Sequence, residues 1–462
     1  MKATAGLELL IRLDRDAPLP LRGQLEQQLR DAVRSGGLRP GSVLPATRAL
    51  AAELAVARNV VTDAYAQLVA EGYLVSRQGA PTRVAQAAAA QRAETRPRPA
   101  ADPWRYDFRP GAPDGALFPR SLWSGALTEA LREVPDARFD YGDPRGTPEL
   151  RLALARYLGR VRGVAADPEA IVVTSGVAQG VALACRALGE GGVRRLGVEN
   201  PSSGPLLKQV ATTGLTPVAV AVDEQGVDVG ALHASDAEAL LVTPAHQFPT
   251  GVVLAPERRA GVLAWANARN AFVFEDDYDA EFRYDRAPVG ALQGLRPDRV
   301  LYAGSVSKTV APALRLGWLV VPDALRDEVV HQKANDDRAT PLLEQLGLAL
   351  LLERGEIDRH LRRTRPIYRR RRDALVAALL RHLPAAQPQG AAAGLHLLVH
   401  LPPGTDEQAV VAAARARGVA LSGLAEHCMR PAGAGLVLGY GRISEPAIER
   451  GVQALTAAIA GA

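Results

Sequence analysis

Lys308 closes the run Tyr302-Ala-Gly-Ser-Val-Ser-Lys308, behind Ser305 and Ser307, and Arg315 follows in Thr309-Val-Ala-Pro-Ala-Leu-Arg315. An amine able to form an imine, two small hydroxyls and a guanidinium suited to a phosphate dianion are what a pyridoxal 5'-phosphate site requires. Lysine is rare here, with four (Lys2, Lys208, Lys308 and Lys333) against 51 arginines, so one placed after an apolar, strand-like run stands out. The Ser-x-Ser-Lys string is short, and alone it fits a solvated loop lysine equally well. A second constellation lies upstream, in Ala271-Phe-Val-Phe-Glu-Asp276-Asp277-Tyr278-Asp279. An apolar strand ending in acids and a tyrosine presents them at its carboxyl end, where open α/β sheets bind ligands. One carboxylate can keep the pyridine nitrogen protonated, making the ring an electron sink, and Tyr278 can donate to the ring's 3-oxygen.

Other elements would hold this chemistry in place. Ile171-Val-Val-Thr-Ser-Gly-Val-Ala-Gln179 reads as strand, turn and helix start, so the free amides of Val177, Ala178 and Gln179 form an anion site. With Ser305, Ser307 and Arg315 they make a phosphate cup. His246, in Thr243-Pro-Ala-His-Gln-Phe-Pro-Thr-Gly251, stands equally as a ring contact or a structural strand-end histidine. The cofactor set read from the residues is therefore Lys308, Asp276, Tyr278, Ser305, Ser307, Arg315, Val177, Ala178, Gln179 and His246. A helix is expected over Pro148–Leu158, and a long helical stretch after Val321 leads to Arg369-Arg-Arg-Arg372, read as a solvated, ion-paired face. A smaller α+β region follows, with a strand in Gly394-Leu-His-Leu-Leu-Val-His and a last strand segment at Leu438-Gly-Tyr-Gly-Arg442.

The N-terminal part differs in kind. Leu21, Leu25, Leu29 and Val33 recur every four residues and predict an amphipathic helix over 21–33. Further helices are expected over Ala46–Leu54 and Arg58–Glu71, with a two-stranded wing around Gln78-Gly-Ala-Pro. Three short helices and a wing make a winged helix-turn-helix, whose third helix enters the DNA major groove. Residues 1–105 hold 15 Lys+Arg and 10 Asp+Glu, whereas the other 357 residues balance at 40 and 40, so the chain's net +5 lies in this module. A basic module on a neutral body points to a polyanion partner for the module alone. Residues 85–105, rich in Ala, Gln, Arg and Pro without periodicity, read as a linker.

Two distant cysteines, Cys185 and Cys428, fit a reducing compartment and no disulfide frame. No stretch approaches the roughly 18 apolar residues of a membrane span, and no apolar signal core opens the chain, so a cytoplasmic protein without a membrane partner is expected.

From about Phe108 to Val452 these motifs, with Tyr141-Gly-Asp-Pro-Arg-Gly and Val173-Thr-Ser-Gly176, resemble fold-type I, class I aminotransferases as elaborated in the MocR subfamily of GntR-type transcription regulators. Leu38-x-Pro-Gly-x-x-Leu-Pro-x-x-Arg48 and Ala-Tyr65-x-x-Leu-x-Ala-Glu-Gly-Tyr73 extend the resemblance through the N-terminal module. It implies an α/β architecture: a winged helix over 1–84, the linker, and an aminotransferase-like domain over 106–462 whose small subdomain starts near 330. It also implies that Arg48 binds DNA phosphate, that Arg58, Asn59 and Thr62 face base edges and backbone, and that Arg442 clamps an effector carboxylate. A head-to-tail homodimer on double-stranded DNA is expected.

Departures from the family pattern are specific. Ala57 replaces a capping serine before the third helix, and the wing tip reads Gly79-Ala-Pro81-Thr-Arg83, where Arg83 adds a phosphate-binding charge. Ser203 replaces a tyrosine that normally covers the cofactor, and by the resemblance it joins the cofactor set as a hydrogen-bonding residue without the stacking ring. The sequence supports a regulator that senses pyridoxal phosphate or an amino compound through an internal aldimine at Lys308. A working aminotransferase with an appended DNA-binding module, and a cofactor-free structural dimer, are the alternatives.

Overall fold

The computed structural model describes residues 11–77, 79–86, 104–279, 281–284, 289–385, 387–390 and 393–461. The chain divides into two compact units, Met1–Asp102 and Pro103–Ala462, and most of the expected linker lies outside the described residues.

In the first unit, α1 (Leu21–Arg34) buries Leu25, Leu29 and Val33, the face that the four-residue spacing marks. Helices α2 (Thr47–Glu53) and α3 (Arg58–Ala70) close a core over Leu50, Val61, Tyr65 and Leu68. Gly72, at φ +80°, takes the left-handed turn out of α3, and strands β1 (Leu74–Val75) and β2 (Arg83–Val84) pair antiparallel as the wing.

The second unit opens with β3 (Tyr106–Asp107), α4 (Arg120–Glu133) and α5 (Pro148–Arg162). Thr147 caps α5 by accepting the Leu150 amide, and the left-handed residue that ends it is Gly163. The helix therefore runs a turn beyond the expected Leu158 and delivers a buried Arg162 to the interior. Next come β4 (Ile171–Thr174), α6 (Val177–Glu190), β5 (Arg195–Asn200), α7 (Gly204–Thr212), β6 (Thr216–Asp223) and β7 (Gly226–Val227). After α8 (Val229–Ala234), β8 (Ala239–Val242), α9 (Pro256–Arg269), β9 (Val273–Asp276), β10 (Val300–Ser305) and β11 (Gly317–Val320), an eight-stranded sheet is complete, in the order β4-β11-β10-β9-β8-β5-β6-β7. Only β11 and β7 run against the other strands. Strands β4, β8 and β10 are buried along their whole length, as strands covered by helices on both faces must be. Their carboxyl ends therefore form one rim.

Helices α10 (Asp323–Asp336), α11 (Leu342–Glu353) and α12 (Glu356–His382) lead to the small subdomain. It contains β12 (Gln387–Gln389), β13 (His396–His400), α13 (Glu407–Ala416), β14 (Val419–Ala420), β15 (Ser422–Gly423), β16 (Gly435–Gly439) and α14 (Glu445–Ile459), with an antiparallel sheet of order β12-β13-β16-β15. Strand β3, from the start of the unit, pairs with β14, so residues 106–107 belong to the small subdomain's fabric. The arginine run on α12 is not a solvated face throughout. Arg370 pairs with Glu445 at the surface, but Arg371 and Arg372 are buried, and Arg371 holds Asp114 and the Gly441 carbonyl. Among the described residues no helix is long and apolar enough to cross a membrane.

Candidate functional site

A cavity of about 530 Å3 lies at the carboxyl ends of β8, β9 and β10, walled on the other side by the small subdomain. Lys308 enters it from the turn after β10, its amine held by the Gly111 carbonyl. Burial pulls the amine below the ordinary lysine range, against the opposing pull of Asp279 and Asp276.

The three adjacent acids at the end of β9 have separate fates. Glu275 points away and accepts the Leu292 and Gln293 amides. Asp277 is bound by both Nε and Nη2 of Arg162, at 2.7 and 3.1 Å, and by the Tyr302 hydroxyl at 2.6 Å. Asp276 lines the cavity, and its Oδ1 is buried with no hydrogen-bond partner among the described residues. Burial first, and then the neighbouring Asp277 charge, push its carboxyl up to about 7.

The opposite end of the cavity is shaped for an anion. In α6 the first intrahelical bond runs from Gly180 to the Gly176 carbonyl, so the amides of Val177, Ala178 and Gln179 come before any intrahelical acceptor. Gly176, at φ +89°, gives room to Arg315, since a Cβ there would lie 3.1 Å from the guanidinium. That guanidinium bonds the Ser175 carbonyl, and Ser305 and Ser307 line the same cavity.

Tyr278 also lines the cavity, but His246 does not: it lies buried behind Tyr278. Its Nδ1 is 2.9 Å from the Asp279 carboxylate and 3.0 Å from the Tyr278 hydroxyl. The carboxylate requires the proton on Nδ1, which leaves the hydroxyl proton of Tyr278 for the cavity. His246 thus orients Tyr278.

In the first unit, Arg58, Asn59 and Thr62 are exposed together at the start of α3, and Arg48 is exposed on α2. Arg83 is exposed on β2, where it also donates to the Gly41 carbonyl at 3.0 Å. Ala57 stands at the N-cap of α3 with no side-chain cap bond.

The profile of the gntR family of bacterial regulatory proteins matches residues 21–84, and that of aminotransferase class I and II matches residues 120–447. The probable rhizopine catabolism regulatory protein MocR of Rhizobium meliloti is 32% identical, covering 97% of this chain and 96% of its own length. The pyridoxine biosynthesis transcriptional regulator PdxR of Corynebacterium glutamicum is 33% identical, over 95% of this chain and 96% of its own. This chain belongs to the MocR-type regulators of the gntR family. Among solved structures, an archaeal alanine:glyoxylate aminotransferase superposes with a TM-score of 0.71 at 27% identity, covering 76% of this chain and 90% of its own. A Pyrococcus horikoshii kynurenine aminotransferase gives 0.71 at 25% identity, over 77% and 90%.

In this MocR-type chain His246 and Arg442 lie off the cavity lining. Arg442 sits in the turn after β16, 41% exposed at its side chain and 3.5 Å from Asp107, outside the cavity lining. Arg109 lines it, as Arg315 does, and is bound to Asp107 through Nε at 2.8 Å and Nη2 at 2.7 Å. The Gln179 amide stands in the first turn of α6, as the sequence places it, and its side chain turns away to Asp336, Asp337 and Lys333. Ser203 lines the cavity, as expected of its position. His396 and His427 also line it and were missed. Burial holds His396 well below the ordinary histidine range and His427 near 4, so both are neutral walls, each packed against Phe248. His396 stood in the recognised strand segment, where a histidine among leucines was the available signal; His427 had none.

Proposed function

We propose that this protein is a transcription regulator that binds double-stranded DNA through its winged helix and holds pyridoxal 5'-phosphate in the cavity of its aminotransferase-fold domain. There it senses the cofactor itself or a small amino compound. The observation that carries the reading is Asp276, whose buried, unpartnered oxygen shares a cavity with a lysine amine and an anion-binding end. A buried orphan acceptor costs on the order of 1–3 kcal/mol, and a protonated pyridine nitrogen would remove that cost.

The donor set fits this cofactor. Lys308 would give the amine for covalent attachment, and Tyr278 a hydroxyl donor oriented by His246. Arg315, Ser305, Ser307 and the first amides of α6 would take the phosphate. Bound there, the cofactor would supply an aldehyde that bonds reversibly to amines and a ring that withdraws electrons. His396, His427 and Ser203 leave a polar wall for a second ligand. The naming of one relative for pyridoxine biosynthesis supports the cofactor itself as an effector. A homodimer is part of this reading.

Titrating the purified protein with pyridoxal 5'-phosphate, while following visible absorbance and binding to the DNA upstream of its own gene, tests the reading. The expected result is a new visible band, absent in Lys308→Ala, and a DNA affinity that changes with loading. Protein that stays colourless, with DNA binding indifferent to the compound, would refute it. Turnover of amino donors with keto acids at ordinary enzymatic rates would make the domain a working aminotransferase instead.

A further inference from the structure

The anion-binding end of the cavity is backed by a second lysine, Lys333 on α10, whose side chain has no exposure to solvent. A buried ammonium is tolerated only when paired and fully hydrogen-bonded. Lys333 meets that condition: its Nζ lies 2.6 and 2.7 Å from the two Asp337 carboxylate oxygens, 3.0 Å from Thr340 Oγ1 and 3.1 Å from Gln179 Oε1. Gln179 is equally saturated. Its Oε1 also accepts the Ser175 amide at 2.8 Å, and its Nε2 donates to Asp336 and Asp337, both at 2.8 Å. Thr340 in turn donates to the Val173 carbonyl at 3.3 Å.

These bonds grip the turn between β4 and α6 from behind. Val173 is held by its carbonyl and Ser175 by its amide, while the Ser175 carbonyl is bonded from the front by Arg315. The cage is electrically balanced, since Asp336 and Asp337 face Lys333 and Arg186, the latter 2.8 Å from Asp336. It therefore adds no net attraction for an anion and can act only through geometry.

We propose that Lys333 and Gln179 are positioning residues for the phosphate end of the site: they fix the Ser175-Gly176 turn so that the first amides of α6 and Arg315 converge on one phosphate. The inference rests on the cofactor reading above and goes beyond it by assigning work to a lysine that never touches the cavity.

The test uses the full-length protein titrated with pyridoxal 5'-phosphate and, separately, with pyridoxal, which lacks the phosphate. Gln179→Ala and Lys333→Met should each weaken binding of the phosphorylated compound by about tenfold or more, as loss of a supporting contact does. Pyridoxal binding should stay within about twofold of wild type, because the ring end is untouched. An equal loss for both compounds, as from general loosening, would overturn the proposal, and so would no loss for either. Wild-type protein that takes up neither compound would instead sink the cofactor reading. Should Lys333→Met fail to fold, Gln179→Ala decides alone, since it leaves the Lys333–Asp337 pair in place.

Discussion

Asp276 and Asp277 are neighbours in sequence, yet exchanging each for asparagine should have opposite effects. The Arg162 and Asp277 side chains are each 2% exposed, and Tyr302 adds a third buried partner. Removing one member of such a pair leaves an uncompensated charge in the interior, a loss of about 3–5 kcal/mol. At roughly 2 °C per kcal/mol for a domain of this size, cofactor-free Asp277→Asn should melt on the order of 6–10 °C below wild type. Asp276 has no comparable partner to lose, and burial already favours its uncharged form. Asp276→Asn should therefore leave the melting temperature of the cofactor-free protein nearly unchanged.

Cofactor binding should follow the reverse order. A hydrogen bond between a carboxylate and a charged ring nitrogen contributes roughly 1.5–3 kcal/mol, so Asp276→Asn should weaken uptake of pyridoxal 5'-phosphate about ten- to a hundredfold. Paired thermal melts and absorbance titrations of the two variants separate these outcomes. If Asp277→Asn melts like wild type and Asp276→Asn binds the cofactor like wild type, the division of labour argued from the Arg162 contact is wrong.

Three further outcomes are expected. Burial depresses His427 to about 4 and His396 well below its ordinary value, so the unfolded chain takes up protons first as pH falls. Stability should be fully present above about 6.5 and be lost towards 4, with His427 contributing up to about 3 kcal/mol; a melting series in which His427→Gln leaves this slope intact counts against it. Gly394 sits at φ +75°, and a Cβ there would lie 2.6 Å from both Asp279 Oδ2 and His246 Nδ1. Gly394→Ala should accordingly cost on the order of 2 kcal/mol or more and disturb Tyr278, and unchanged melting and cofactor uptake would show that the backbone relaxes there. Ala57→Ser should supply the missing cap of α3 and stabilise the N-terminal unit by about 1 kcal/mol, read as an upward shift of that unit's transition in calorimetry.

Much of the scaffold was legible because its signals are local. The spacing of Leu21, Leu25, Leu29 and Val33 placed α1 within one residue of its observed end, and Ser175-Gly176 placed the start of α6. The roles that local signals do not carry depend on contacts far apart along the chain. That Asp277 is occupied, and Asp276 left for a ligand, follows from an arginine 115 positions away. Periodicity does not reveal that Gln179 faces Lys333, 154 positions on, since the same helix face could have turned towards the cavity. Arg442 fits its motif and lies near the site but off the cavity lining, whereas Arg109, which lines it together with Arg315, comes from a segment whose strand pairs with β14 across the unit. Pattern identifies which elements exist, whereas long-range pairing decides which side chain of an element is free to act.

That same segment bears on how the two halves of the protein can communicate. Residues 104–111 begin the second unit just after the linker region, and they are woven into the small subdomain: β3 pairs with β14, and the Phe108 carbonyl accepts from Gly439. They end at Gly111, whose carbonyl holds the Lys308 amine. A ligand that engaged this amine would withdraw its proton from Gly111, so the stretch that follows the linker in sequence would lose a partner there. Such a contact can transmit only as much free energy as the ligand's preference between the two arrangements, typically 1–3 kcal/mol or roughly 5- to 150-fold in affinity. Linkage makes the exchange reciprocal. If filling the cavity changes DNA affinity by some factor, saturating DNA must change the affinity for the cavity's ligand by the same factor. A loaded site that alters DNA binding, with no matching effect of DNA on loading, cannot be an equilibrium switch of this kind.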